Sequence, residues 1–172
     1  MRIVLSLLLA LWASFSLVSC TLFPPAPREY NITVGYDSAT VDSFRVYPSV
    51  EVDIVEANET LLHQLEQLEI DDYFDPANVL RSSLRKKTLC FSEEDNEDKT
   101  LSMDNPVWES WLEKRGATHV VLFVNLPRDG AKGPDLRKLV LPLSSDRWEG
   151  DDIEVSIIPA GFLLQTPIIP EE

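Results

Sequence analysis

Residues 117–126, ATHVVLFVNL, form a near-continuous apolar run. A strand with one wet face alternates apolar and polar side chains, whereas a run of this kind suits a central strand buried on both faces. Whatever fold the chain adopts has to cover this segment twice.

The neighbouring segments supply that cover. YNITVGY (30–36) places Tyr30, Ile32, Val34 and Tyr36 on one face, the period of a half-buried strand. FRVYPSVEVDIVE (44–56) reads as strand interrupted at Pro48, with Val50, Val52 and Ile54 alternating. The period then changes. In NETLLHQLEQLE (58–69), Leu61, Leu62, Leu65 and Leu68 form a helical stripe, with Asn58 or Thr60 as its cap. DPANVLRSSLRKK (75–87) opens with Asp75 as cap and Pro76 at the first helical position, which predicts a short helix or turn running into the strand KTLCF (87–91). SEEDNEDK (92–99) reads as a solvated hairpin loop before a returning strand at TLSM. NPVWESWLEKRG (105–116) predicts a helix capped by Asn105, started by Pro106 and stopped by Gly116, with Trp108, Trp111 and Leu112 facing inward. Beyond the central run come a Gly/Pro loop, RDGAKGPD (128–135), and strands within 136–143, 153–158 and 161–166. Six or seven strands with two or three short helices predict a mainly β fold, an antiparallel two-sheet sandwich with helical insertions.

The N-terminus has a different grammar. Arg2 is followed by an uncharged apolar stretch over residues 3–18, and the first acidic residue is Glu29. A basic start, an apolar run and small residues at its foot make a secretory signal peptide, and the run is shorter than the ~20 residues of a spanning helix. Leu17-Val18-Ser19-Cys20 resembles the bacterial lipobox. The resemblance implies cleavage between Ser19 and Cys20 and a diacylglycerol on the Cys20 thiol, with no other cofactor. It divides the chain into a signal peptide (1–19), a lipidated Cys with a Pro-rich tether (20–29), and one β-rich periplasmic domain (30–172). The tether TLFPPAPRE would reach about 25–30 Å at ~3.1 Å per residue. Lipoprotein sorting would direct a chain with Thr21, rather than Asp, after the lipidated Cys to the outer membrane, facing the periplasm.

Cutting before Cys20 leaves 153 residues (172 − 19), enough for one domain burying about 70% of its unfolded surface. The charge is −14 (15 − 29), and loss of the leader, with Arg2 and no acid, takes it to −15. Such a chain repels DNA, RNA and anionic lipid surfaces, which argues against nucleic-acid binding. With Cys20 acylated, Cys90 has no disulfide partner, and its apolar setting predicts a small buried hydrophobe rather than a reactive thiol. The expected product is a monomeric domain that folds without disulfide or metal.

Catalytic motifs are absent from the sequence. There is no G-x-S-x-G elbow, P-loop or GxGxxG, and His63 and His119 lie 56 residues apart with no zinc spacing. The acidic run Glu93, Glu94, Asp95, Glu97, Asp98 lacks the glycine and terminal glutamate of an EF-hand. Asp71, Asp72 and Asp75 read as helix-end and turn residues. RSSLRKK concentrates Arg81, Arg85, Lys86 and Lys87, either balancing the acidic loop or docking an anionic partner or lipid headgroups. Two glycosylation sequons, at Asn31 and Asn58, are coincidental beside a lipobox.

The layout across residues 30–166 is similar to that of the outer-membrane lipoprotein of type VI secretion systems. The segments that carry the resemblance are SVEVDIVEANETLLHQLEQLEIDDYF and LPLSSDRWEGDDIEVSII. The resemblance implies a transthyretin-like sandwich and a non-enzymatic scaffold that binds a periplasmic domain of an inner-membrane partner. The long acidic insertion at 92–99 departs from that pattern. Partner contacts are then expected in loops, with Arg128, Asp129 and Lys132 as candidate anchors beside the acidic loop 92–99. Two rival readings are a ligand-binding or envelope-stress lipoprotein with Trp108 and Trp111 lining a pocket, and a hydrolase with an unrecognised nucleophile.

Overall fold

The central run is covered on one side by a second sheet and on the other by helices. The computed structural model describes residues 25–128 and 133–171. Among them are eight strands, β1 (Asn31–Tyr36), β2 (Val50–Ala57), β3 (Lys86–Phe91), β4 (Lys99–Leu101), β5 (His119–Val124), β6 (Lys138–Pro142), β7 (Asp152–Ile158) and β8 (Gly161–Leu164). Five short helices accompany them: α1 (Ser38–Phe44), α2 (Glu59–Glu66), α3 (Ile70–Phe74), α4 (Val79–Ser83) and α5 (Val107–Leu112). The sheets have the orders β4-β1-β7-β8 and β3-β2-β5-β6. Every named pairing is antiparallel except β1 with β7, which runs parallel from Asn31↔Asp152 to Tyr36↔Ile157.

Strand β5 divides its side chains by parity. Val120, Leu122 and Val124 join Tyr30, Ile32, Val34, Ile153, Val155 and the tryptophans between the sheets. Val121 and Phe123 face the other way, against Leu65 of α2 and Ile70 and Tyr73 of α3. The fold is thus a β-sandwich with a helical layer on the outer face of its second sheet. Alternation in β1 was legible in the same terms, since Tyr30, Ile32 and Val34 are fully buried and Tyr36 half-buried.

Local chemistry explains most helix ends. Asn58 caps α2 by accepting from Leu61 N–H at 3.0 Å, and Lys138 closes its other end by donating to the carbonyls of Leu65, Glu66 and Leu68. At α5, Asn105 Oδ1 accepts from Val107 N–H at 3.1 Å. Gly116 ends that segment at φ +64, a left-handed turn in which Gly116 N–H reaches Leu112 and Ala117 N–H reaches Trp111.

Several expectations are corrected. Residues 44–49 are not strand: Asp37 caps α1 through Ala39 N–H, and Arg45 at φ 61 ends it. Asp75 does not cap α4. Its carboxylate accepts from Ala77 N–H in a preceding turn, and Asn78 caps the helix at Leu80 and Arg81. The segment 92–98 does not close a hairpin, because β4 pairs with β1 and the chain crosses there from one sheet to the other. Cys90 is exposed, not buried. It lies on edge strand β3, where Leu89 and Phe91 take the inner positions and Cys90 points outward by parity.

The expected tether is also shorter than its composition indicates. Pro27 bridges Ser144, Arg28 N–H donates to Leu143 O at 2.9 Å, and Ser145 N–H donates to Ala26 O at 3.3 Å. Ser144 Oγ donates to Pro25 O at 3.3 Å. Prolines have no N–H to give, yet their carbonyls still accept, so residues 25–28 form a strap along the end of β6.

The strap defines one pole. Arg28 N–H reaches Leu143, Leu143 N–H reaches Thr118, Thr118 N–H reaches Ala57, and Glu56 N–H reaches Arg85, each at 2.9–3.3 Å. The opposite pole, about 23 Å away along β2, carries residues 92–98 and the described residues 125–128 and 133–137, which follow β3 and β5 on either side of the start of β2.

Candidate functional site

The pole opposite the strap is built around Arg137, which is 3% exposed. Its guanidinium donates to Asp135 through Nε at 3.0 Å and Nη2 at 2.7 Å, and through Nη1 to Asp71 at 2.6 Å and Leu126 O at 2.9 Å. The bond to Asp135 is the largest influence raising its pKa, and in return Arg137 holds Asp135 and Asp71 below the usual carboxylate range. This fork staples residues 133–137 to α3. The same stretch is fastened to the β7–β8 turn by Phe162 N–H donating to Leu136 O at 2.8 Å. Gly161 is required there: its φ is +143, and a Cβ would lie 2.2 Å from the Leu136 backbone. Arg128 is exposed and lines a small cavity of about 50 Å³ with Asp135, Arg137 and Ala160.

At the same pole, beyond the other edge of the second sheet, the acidic segment is a compact turn. Ser92 and Asp95 exchange backbone hydrogen bonds, and Lys99 pairs with Asp95 at 2.5 Å. Glu93, Glu94, Glu97 and Asp98 are exposed, so this pole presents negative charge. Among the described residues no cluster of His, Cys, Asp or Glu has metal-binding geometry.

Arg81 does not balance that acidic turn. It donates through Nε to the fully buried Asp53 at 2.8 Å and through Nη2 to Glu51 at 2.6 Å. Asp53 also accepts from Tyr73 OH at 2.8 Å and Thr88 Oγ1 at 2.5 Å. Burial works against the Arg81 charge, but the two carboxylates overcome it and raise the pKa. Tyr73, stacked on Phe123 at 4.2 Å, is raised first by burial and then by Asp53. This network clamps α3 and α4 to the second sheet.

The remaining cations of RSSLRKK do something else. Arg85 and Lys86 open β3 beside α5, where they meet Arg115 across a cleft of about 630 Å³. Ser82, Ser83 and Ser110 add hydroxyls, Val107 and Trp111 add apolar surface, and no lining residue is acidic. The side chain of Arg85 has no ion pair or hydrogen bond among the described residues. Lys86 spends one donor on Arg81 O at 2.8 Å. Arg115 Nε lies 3.6 Å from Glu56 Oε1, beyond hydrogen-bonding distance. Glu56 is 5% exposed, its Oε2 has no hydrogen-bond partner among the described residues, and burial raises its pKa against the pull of Arg115 and Arg85.

The structure is similar to that of Serratia marcescens Lip, a membrane-bound component of the type VI secretion system, at TM-score 0.49 and 10% identity over 86% of this chain and 99% of that one. It is also similar to the type VI secretion lipoprotein TssJ1 from Pseudomonas aeruginosa, at TM-score 0.45 and 9% identity over 87% of this chain and 100% of that one. No family model and no curated protein matches the sequence.

Of the residues singled out from sequence, Arg128 sits at the pole opposite the strap, on the same end as the acidic turn. Ser19, Cys20, Asp129 and Lys132 lie outside the described residues. Trp108 and Trp111 do not line an aromatic pocket. Both are 1% exposed and pack edge to face at 5.3 Å, with Trp108 Nε1 donating to Ser102 O, although Trp111 forms part of the cleft wall. His63 is exposed on α2, and His119 is half-buried beside the Thr118 hydroxyl, its pKa lowered by burial. Sequence reading missed the cleft because Arg115 joins Arg85 only through tertiary structure. The signal available was the run Arg85–Lys87, which it did single out.

Proposed function

We propose that the chain is a lipid-anchored envelope protein acting as a non-enzymatic anchor, of the kind that ties a type VI secretion complex to the outer membrane from its periplasmic face. The observation that carries this reading is the polarity of the fold. The strap is hydrogen-bonded at one pole, and residues 92–98, 125–128 and 133–137 lie at the other. A protein held by an acyl chain at one end and offering loops at the far end is arranged to hold something off the membrane. Residues 21–24 leave little slack: the five residue steps from Cys20 to Pro25 span at most about 18 Å. The partner is a periplasmic protein segment, and the domain itself is monomeric.

The test has two halves. Labelled palmitate should enter the wild-type chain and not Cys20→Ala, since no other thiol stands at the cleavage site. Alanine at Arg128, Asp129 and Lys132 together should leave stability within roughly 0.5 kcal/mol. It should still weaken cross-linking to the inner-membrane partner by about 1 kcal/mol or more per anchoring side chain. Continued labelling of Cys20→Ala would remove the anchor, and unchanged cross-linking would move the partner surface elsewhere.

A further inference from the structure

The cleft of Arg85, Lys86 and Arg115 lies at the pole that the strap occupies, and nothing in the anchoring role uses it. Its place follows from the hydrogen-bonded row across the second sheet, which runs from Arg28 through Leu143, Thr118 and Ala57 to the Glu56–Arg85 contact. Four inter-strand spacings at about 4.8 Å put Arg85 roughly 19 Å from the strap. A chain fastened by Cys20 therefore carries this cleft close to the membrane surface.

The chemistry of the cleft is unusual for this protein. The full chain has 29 acidic residues, yet none lines the cleft, and three cations do. Most of their donors are unspent. A guanidinium offers five N–H groups and an ammonium three, but among the described residues Arg85 makes no bond, Lys86 makes one, and Arg115 faces Glu56 only at 3.6 Å. Cations that merely neutralise neighbouring acids behave as Arg81 and Arg137 do, each gripped by two carboxylates at 2.6–2.8 Å. Ser82 and Ser83 spend their hydroxyl protons on Val79 O and Leu80 O, but two planar guanidinium forks, an ammonium and the Ser110 hydroxyl lining one cleft match the tetrahedral oxygens of a phosphate.

We propose that this cleft binds the phosphate of an anionic phospholipid headgroup in the membrane that carries the anchor. The proposal rests on the lipid-anchored reading for its source of phosphate. Position favours a headgroup over a free anion, because the short leash presents the cleft to the leaflet continuously. Charge favours it as well. The charge of −15 on the chain cut before Cys20 (−14 less Arg2) repels an anionic surface, but that repulsion is screened beyond about 8–10 Å. A Lys or Arg held against an anionic leaflet favours association by roughly fivefold each. Bound in this way, the strap pole faces the membrane and the acidic turn at 92–98 is directed away from it.

The experiment is hydrogen–deuterium exchange of the full-length chain on two kinds of vesicle, phosphatidylcholine alone and phosphatidylcholine mixed with phosphatidylglycerol. Peptides covering 81–88 and 107–116 report the two cleft walls, and the mass of the N-terminal peptide reports acylation in the same sample. Exchange at both walls should slow by about tenfold on the anionic vesicles once headgroup exceeds its dissociation constant tenfold. The effect should vanish in Arg85→Glu/Arg115→Glu. The milder Arg85→Gln/Arg115→Gln serves if charge reversal impairs folding. Equal slowing by inorganic phosphate on phosphatidylcholine vesicles would overturn the headgroup as source. An acylated chain with no slowing in either lipid would overturn the site itself. Slowing without acylation would retain the cleft and remove the anchoring reading instead.

Discussion

Replacing Arg81 by Met tests the buried clamp most directly. Asp53 is fully buried, and its carboxylate accepts from Arg81, Tyr73 and Thr88. Removing one partner of a buried ion pair costs ~3–5 kcal/mol because the other charge is stranded. Here the figure is lower, since the Arg81 side chain is 24% exposed and Asp53 keeps two hydroxyl donors. That leaves about 2 kcal/mol from the pair itself. The partner Glu51 is 46% exposed and adds little, while the guanidinium stacked 4.7 Å from the Phe74 ring adds roughly 0.5–1 kcal/mol. Arg81→Met should therefore destabilise by about 3 kcal/mol, which lowers Tm by roughly 6–12 °C for a domain of this size. Urea unfolding measures it, with the m-value unchanged. The decisive comparison is Arg81→Met/Asp53→Asn. A neutral amide strands no charge, so the double variant should regain about 1 kcal/mol over the single one. A double variant no more stable than Arg81→Met would refute the stranded-charge account.

Three further outcomes are expected. Glu56→Gln should raise stability at neutral pH: burial raises the carboxyl pKa, so the folded chain holds the proton more tightly than the unfolded one and ionisation opposes folding. That opposition is lost below the ordinary value of 4.5, where wild type and variant should converge in urea titrations at a series of pH values. Gly161→Ala should cost about 3 kcal/mol or more, combining a strained φ with a Cβ driven into Leu136, and an undiminished urea midpoint would contradict it. Cys90 should react with a thiol reagent in the native protein at a rate close to that in denaturant, whereas a buried thiol would react only after unfolding.

What could be read from sequence was what depends on near neighbours. The unbroken run at 119–124 required cover on two faces and has it, and Asn58 and Gly116 marked helix ends through their own side-chain and backbone chemistry. Elements α1 and α3 were missed because SATVDSF and IDDYF, at seven and five residues, are too short to show a repeating helical period. They are held by tertiary contacts, Thr40 Oγ1 donating to Ile157 O and Tyr73 OH to Asp53. Cys90 was misplaced by its apolar neighbours, although period two from Leu89 and Phe91 directs it outward. The candidate sites divide the same way. Arg85 and Lys86 stand out in sequence, but Arg115 is thirty positions from Arg85 and meets it only across the folded cleft. The pairing of Arg81 with Asp53 is equally non-local, because a cation in a basic run gives no sign of which carboxylate it will find.

The parallel pairing of β1 with β7 has a kinetic consequence. Asn31 and Asp152 are 121 positions apart, and β1 is the centre of its sheet's N-terminal half, with β4 as its other neighbour. The second sheet needs only residues 50–142 and can assemble while the first cannot. Until the last strands arrive, Ile32 and Val34 can pair only on the β4 side, leaving the other edge of β1 open, and closing so long a loop is slow. Folding should then show a late phase reported by sheet-one residues and sensitive to substitutions in β7. During it, the exposed β1 edge is the point where two chains would aggregate.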